Sequence, residues 1–204
     1  MKDLNLMEQY KSIYSAKSSP TVVQVPKMHY LALDGHGDPN KIPLFQMAVE
    51  ALFSVSYTIK FMAKKGAIQI DYKVMPLEGL WWCQKMEDFT VKDKTNWDWT
   101  LMILQPDFVT KELLDEAKEA ALKKKANSSI TALQLINFEE GSAVQLLHTG
   151  PYSAEAANIK RIHSHIVTLK GKLSGKHHEI YLSDMRRTAP EKLKTIIRQP
   201  FTAG

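Results

Sequence analysis

Two groups of residues in this chain are suited to chemistry, and both point to an organic ligand. The first is aromatic: Trp81, Trp82, Trp97 and Trp99 fall within nineteen residues. Side chains alternate along a strand, so Trp97 and Trp99 share a face with Leu101 and Ile103. The adjacent pair in Leu80-Trp81-Trp82 cannot both enter one core, so at least one of the two has another task. Any single tryptophan is more often plain core. The second group is polar. In His178-Glu179-Ile180-Tyr181-Leu182-Ser183, Ile180 and Leu182 point one way, and Glu179 and Tyr181 the other. The aliphatic pair is expected to face a helix layer, which turns Glu179 and Tyr181 toward a pocket. Aromatic walls with a few convergent polar groups are what a site for flat organic ligands needs. Glu155, just after Gly150-Pro151-Tyr152, is a further candidate. It also sits in a helix's first turn, where a carboxylate is stabilising in any case, and the two readings stand even.

Other chemistries find less support. His177 and His178 are neighbours on a strand and face opposite ways, while His163 and His165 are two apart on a helix. Neither pair can chelate one metal, so no metal and no cofactor are expected. Gly35-His36-Gly37 lacks the third glycine of a phosphate loop. Arg186 and Arg187 read as a solvated turn, and Lys123-Lys124-Lys125 ends a helix, where cations are favoured. The single cysteine, Cys83, rules out an intramolecular disulfide. A net charge of +5 is not gathered into one tract, and no helix-turn-helix reader is evident, so direct nucleic-acid binding is disfavoured. No apolar signal-peptide core and no membrane-length apolar run is present, so a soluble, cytoplasmic protein is expected.

The elements that must position these residues belong to one α+β domain. The 204 residues, 44% hydrophobic and 24% charged, have the composition of an ordinary globular chain with one core. Residues 1–19 read as a short helix and linker, and 20–204 as the domain. Within it, Pro20–Leu33 reads as a strand, and 40–64 as a strongly apolar helix with a second stripe of Phe53, Tyr57 and Phe61. Gly66 stops that helix. Strands are expected at Ala67–Met75 and Trp97–Leu104, with a polar loop around Glu87 to Asn96. A salt-bridged helix follows over Asp107–Lys125, with strands at Ile130–Phe138 and Ser142–His148. The last elements are a helix over 153–170 capped by Ser153 and closed by Gly171 and Gly175, then strands at His178–Ser183 and Leu193–Arg198.

The two halves repeat. About 20–106 and about 130–201 each run strand, Gly turn, helix, strand, strand, and Asp71-Tyr72-Lys73 falls where Ile180-Tyr181-Leu182 falls later. A repeated βαββ unit gives antiparallel strands with helices on one face. The other face is left free to curve around a ligand.

Several segments together resemble the stand-alone GyrI-like (gyrase-inhibitor-like) small-molecule-binding proteins over roughly residues 20 to 201. They are Pro76-Leu77-Glu78-Gly79-Leu80-Trp81-Trp82, the stretch Trp97 to Asp107, Glu140-Gly141 through His148-Thr149-Gly150-Pro151-Tyr152, His177 to Asp184, and Ala189 to Thr195. The resemblance implies two βαββ (SHS2-type) modules in a pseudo-twofold arrangement around a central ligand cavity. In drug-sensing relatives, a glutamate at the position of Glu179 neutralises lipophilic cations. Through its Leu-Trp-Trp and Trp-Asp-Trp segments the chain is similar to the branch that hydrolyses cyclopropane-bearing DNA alkylators, a self-protective detoxification and drug-resistance function. Asp184-Met185 departs from the family's usual Asp-Pro, at a turn.

That resemblance implies a mechanism. Opening a cyclopropane fused to a conjugated dienone develops negative charge on the carbonyl oxygen, so catalysis needs a base for water and a donor at that oxygen. Glu179 is the expected base, its pKa raised by burial among aromatics. Tyr152 is the first choice of donor and Tyr181 the second. Trp82, Trp97 and Trp99 would stack the ligand, with Trp81, Tyr57 and Glu155 also lining the site. Three function classes remain: a hydrolase of electrophilic polycyclic toxins, a non-catalytic binder or sensor of lipophilic cationic drugs, and a gyrase-interacting module. A sensor needs an output domain, which does not fit in the first nineteen residues. An interaction module predicts an exposed patch in place of a closed cavity. A monomer or weak dimer is expected.

Overall fold

The computed structural model describes residues 2–84, 94–184 and 186–204. The expected loop around Glu87 to Asn96 lies largely outside the described residues, as does Met185.

The chain forms β1 (Lys2–Leu4), α1 (Leu6–Gln9), α2 (Lys11–Tyr14), β2 (Thr21–His36), α3 (Pro43–Lys65), β3 (Ile70–Tyr72) and β4 (Leu77–Trp82). It continues through β5 (Asp98–Leu104), α4 (Lys111–Lys124), α5 (Ser129–Ala132), β6 (Gln134–Thr149), α6 (Ala156–Thr168), β7 (Gly171–Leu173), β8 (His177–Tyr181) and β9 (Lys194–Ala203). The large sheet runs β6-β2-β5-β4-β8-β9-β7, and a further β6–β9 pairing curls it into a barrel. Its strand pairs are antiparallel. The units β2-α3-β4-β5 and β6-α6-β8-β9 are the two βαββ modules, joined through β2–β6 and β4–β8.

Both long helices of the modules lie on one sheet face. Buried residues of α3 recur as Ala48, Ala51, Leu52, Val55, Ile59 and Ala63, the stripe of a core-facing helix. Pro43 sits at its first turn and Gly66 at its C-cap. Helix α6 buries Ile162 and Ile166 against Val144, Leu146 and Ile197.

Four expectations are corrected. The strand expected at Ala67–Met75 shrinks to β3, which pairs in parallel with β1 in a separate two-stranded sheet. Asp71 there is held by Lys60 and Lys64 of α3, which ties this stretch to the helix. The counterpart of β8 is therefore β4, and the echo drawn through Asp71-Tyr72-Lys73 does not hold. Strands expected at Ile130–Phe138 and Ser142–His148 are one continuous β6, with Ile130 in α5 and Gly141 at φ 73° absorbing a bend inside the strand. Ser153 lies in a 3₁₀ turn (Tyr152–Ala154), and Glu155 occupies the N-cap of α6. Finally, residues 1–19, expected as one helix and a linker, hold β1, α1 and α2. Leu6, Ile13 and Tyr14 are buried in the main core.

The sheet face opposite α3 and α6 buries charge. His178 lies between Glu78 (3.0 Å) and Glu140 (3.0 Å), and Arg198 donates to Glu140 at 2.9 Å. Arg198 also donates to Gln145 and to the Ile13 carbonyl, while the Tyr14 hydroxyl donates to Glu78. Burial pulls the His178 imidazolium down, but the Glu140 charge and bonds to both carboxylates outweigh it and bring its pKa to about 8. Burial likewise pushes Glu140 up, and His178 and Arg198 overcome it, leaving Glu140 at about 2. The network pins α2 to the barrel.

Candidate functional site

At the junction of the modules, strands β4 and β8 bring a second polar group to the helix-bearing face. In register, Gly79 lies opposite Glu179 and Trp81 opposite His177. Glu179 also pairs with Ile197, which packs against α6, and Trp81 meets Phe45 of α3 at 5.9 Å. Glu179 and Tyr181 therefore face the helix layer, between α3 and α6, and Ile180 faces away with His178. This reverses the expected orientation of the strand. The helix face is not purely aliphatic, because the buried charge network takes the opposite face.

Glu179 is held on both oxygens. His177 Nε2 donates to Oε1 at 3.1 Å and the Tyr181 hydroxyl to Oε2 at 2.8 Å. Trp81 Nε1 in turn donates to the Tyr181 hydroxyl at 3.1 Å. The Glu179 side chain is 14% exposed. Burial pushes its pKa up, but bonds from His177, Tyr181 and Glu155 outweigh that, and the group ends below the usual carboxylate range. The expected rise is thus reversed: donors satisfy the anion.

The rise falls on Glu155 instead. Its burial comes first, then the charge of Glu179 and a hydrogen bond to it, and together they push Glu155 far above the carboxylate range. Tyr152 packs edge-on against Tyr181 at 5.6 Å, and burial with the nearby carboxylates raises its phenol to about 12. Its hydroxyl makes no hydrogen bond among the described residues.

The aromatic candidates divide. Trp97 packs edge-on against Trp81 at 5.6 Å, and the Lys94 ammonium lies 4.7 Å from its ring. Trp99 is fully buried one layer deeper, against Phe45, and a Cβ on Gly35 would collide with it. Trp82 faces the other side of β4, with Lys176 over its ring at 3.2 Å. Tyr57 is 47% exposed, stacks on Phe53 and lines a shallow groove with Asp3 and Asp71. So the fold gathers Glu179, Tyr181, Trp81, Trp97, Tyr152 and Glu155, and leaves Trp82 and Tyr57 outside.

Sequence reasoning missed His177, Gly79 and Phe45. His177 was legible, since residues two apart on a strand share a face. Gly79 depends on strand register, which no local signal carries. Among the described residues no group of three or more His, Cys, Asp or Glu is arranged to hold a metal, and no helix is long and apolar enough to cross a membrane.

Comparison with family models matches residues 18–201 to the GyrI-like small molecule binding domain. An uncharacterized conserved protein from Listeria innocua superposes with a TM-score of 0.90 at 40% identity, covering 98% of this chain and 100% of its own. A structure from Listeria innocua described as a hydrolase gives a TM-score of 0.89 at 40% identity, with 98% and 100% covered. The EcmrR C-terminal domain, at 12% identity, shares the fold with a TM-score of 0.58 over 91% of this chain and 98% of that one. No curated protein matches.

Proposed function

This chain belongs to the GyrI-like small molecule binding domain family, and from that premise we propose that it hydrolyses flat, hydrophobic electrophiles of the cyclopropane-bearing alkylator class. The observation that carries the reading is Glu179: an ionised carboxylate, fixed on both oxygens, beneath an aromatic wall. Such an anion, stabilised by its donors, is a poor nucleophile toward carbon and a weak base, so in this reading it orients a water and takes its proton as the ring opens. Two similar structures described as hydrolases, at 40% and 39% identity, favour turnover over capture alone.

In this reading Trp81, Trp97 and Tyr152 hold the planar ligand with its strained ring over Glu179. Glu179 takes a proton from water, and the hydroxide oxygen bonds to the ring methylene. The ring C–C bond breaks, and its electron pair moves through the dienone to the carbonyl oxygen, toward which Tyr152 donates a hydrogen bond. A phenol with a pKa of about 12 stabilises that charge without itself ionising. The charged oxygen then takes up a proton as Glu179 releases the one it took from water, so the product is the substrate plus one water, which no longer alkylates DNA, and the activity is one of detoxification.

An ionised carboxylate among rings also suits capture of a lipophilic cation without chemistry. Glu179→Gln separates the two readings. Hydrolysis predicts that turnover of a duocarmycin-type alkylator is abolished while affinity, followed by tryptophan fluorescence, stays within a few-fold. Unchanged turnover in that variant would sink the assignment.

A further inference from the structure

The turn that carries Tyr152 is closed by a buried side chain with no part in the steps above. His148, next to the last residue of β6, is 4% exposed. Its Nε2 lies 3.2 Å from the Pro151 carbonyl oxygen, and its Nδ1 lies 2.9 Å from Asn158 Nδ2 of α6. Arg161 meets Asn158 from the other side, donating from Nη1 to Oδ1 at 2.8 Å and from Nη2 to the Ser18 carbonyl at 2.9 Å. The direction of every bond in this chain is forced. A guanidinium only donates, so the Asn158 oxygen faces Arg161 and its NH₂ faces the imidazole. Nδ1 is then the acceptor, and His148 carries its proton on Nε2, from which it donates to Pro151. The far end is braced as well. Carbonyls of Ser12 and Ser15 accept from Gln145, and that of Lys17 from the Leu147 N–H at 2.7 Å, so the segment holding Ser18 is laid along β6. Gly150 completes the turn: its N–H donates to the Leu193 carbonyl at 2.9 Å, and its φ of 135° disfavours any side chain.

We propose that His148 is a positioning residue for the hydrolytic step: oriented by Arg161 through Asn158, it holds the Gly150-Pro151-Tyr152 turn so that the Tyr152 hydroxyl meets the oxygen that receives the ring electrons. The inference rests on the hydrolytic reading of the site. His148 acts through the backbone. The Pro151 carbonyl and the Tyr152 Cα belong to one planar peptide unit, so a bond to that oxygen sets the plane from which the Tyr152 side chain departs. The edge-on contact with Tyr181 at 5.6 Å then limits where the phenol can turn. Displacing a catalytic group by about 1 Å slows a reaction roughly 10²-fold, which is the scale of effect open to a residue of this kind.

The test follows hydrolysis of a duocarmycin-type alkylator by the full chain as wild type, His148→Asn and His148→Gln, each also in a Tyr152→Phe background. Affinity is read by tryptophan fluorescence, folding by thermal melting, and the wild-type imidazole by ¹⁵N NMR. A Gln amide can take the place of Nε2 and donate to Pro151, whereas an Asn amide reaches only the place of Nδ1. His148→Asn should bind within a few-fold and turn over roughly 10–100-fold more slowly, and His148→Gln should recover most of the rate. With Tyr152→Phe already present, neither change should slow turnover further, because both act through the missing hydroxyl. The ring should show its proton on Nε2 and a bare Nδ1. Equal losses in the two His148 variants, a loss that persists undiminished beside Tyr152→Phe, or a proton on Nδ1 overturns the role of His148; should His148→Asn fail to fold, His148→Gln and the ring nitrogens still decide. A Tyr152→Phe protein as active as wild type overturns the inference and leaves hydrolysis standing. Wild type that binds the compound and releases it intact overturns the hydrolytic reading, and the part of His148 in turnover with it.

Discussion

Replacing Gly79 by Ala probes the site's floor directly. A Cβ built there lies 2.8 Å from Trp81 Nε1, 3.1 Å from Trp81 Cε2 and 3.1 Å from the Tyr181 hydroxyl oxygen. Ordinary carbon contacts need roughly 3.5–4.0 Å, so the indole or the phenol must move by several tenths of an ångström. Neither is free to do so: Trp81 is packed by Phe45 and Trp97, and Tyr181 by Tyr152. Overpacking of this kind costs about 1–3 kcal/mol. Loss of the bond from Trp81 to Tyr181 adds about 1 kcal/mol. The sum, about 2–4 kcal/mol, lowers the melting temperature by about 4–16 °C for a chain of this length. Because Tyr181 orients Glu179, ligand affinity and turnover should fall as well. Thermal melting and fluorescence binding of Gly79→Ala read both. Gly141→Ala is the control: its Cβ meets nothing within 4 Å, but its φ of 73° disfavours a side chain, so it should melt lower with ligand binding intact. A Gly79→Ala protein that melts and binds as wild type would refute the packing argument.

Further outcomes concern the buried charge network. His178→Leu leaves Glu78 and Glu140 facing each other without their shared partner, and urea unfolding should show a loss of about 3–5 kcal/mol; an unshifted midpoint would contradict the network. Stability should also fall on either side of mildly acidic pH. The folded pKa of His178, about 8, lies above its ordinary 6.5, so its contribution is complete below 6.5 and lost as pH rises through 8. Glu155, also raised, acts in the same direction. The folded pKa of Glu140, about 2, lies below its ordinary 4.5, so its contribution is complete above 4.5 and lost as pH falls toward 2. The His178 and Glu140 shifts correspond to about 2 and about 3 kcal/mol respectively, and a urea midpoint that is flat across this range would contradict both assignments.

Much of the fold was legible because it follows from local signals. The apolar stripe of α3, the glycine that ends it and the repeat of strand and helix are all written in residue spacing. What was not legible depends on pairing between distant segments. The strand expected at Ala67–Met75 stands where the barrel uses Leu77–Trp82, and only the pairing of β4 with β8 decides which stretch joins the barrel. The orientation of Glu179 was misjudged for a related reason. Alternation separates Glu179 from Ile180, but not which face carries the helices, and the assumption that aliphatic residues face helices fails where Glu78, Glu140 and Arg198 fill the other side. The pKa of Glu179 was inverted because burial is visible in a sequence, whereas the donors His177 and Tyr181 require geometry.

Isotope labelling reads water addition assisted by Glu179 without an intermediate assay. The protein is incubated with a duocarmycin-type cyclopropane alkylator in ¹⁸O-enriched water, and the product is weighed by mass spectrometry. Hydrolysis at this site predicts many turnovers, one labelled oxygen on the opened methylene in each product, and no product with Glu179→Gln. Tight binding with the compound recovered intact and unlabelled would contradict it and leave a binding protein in its place.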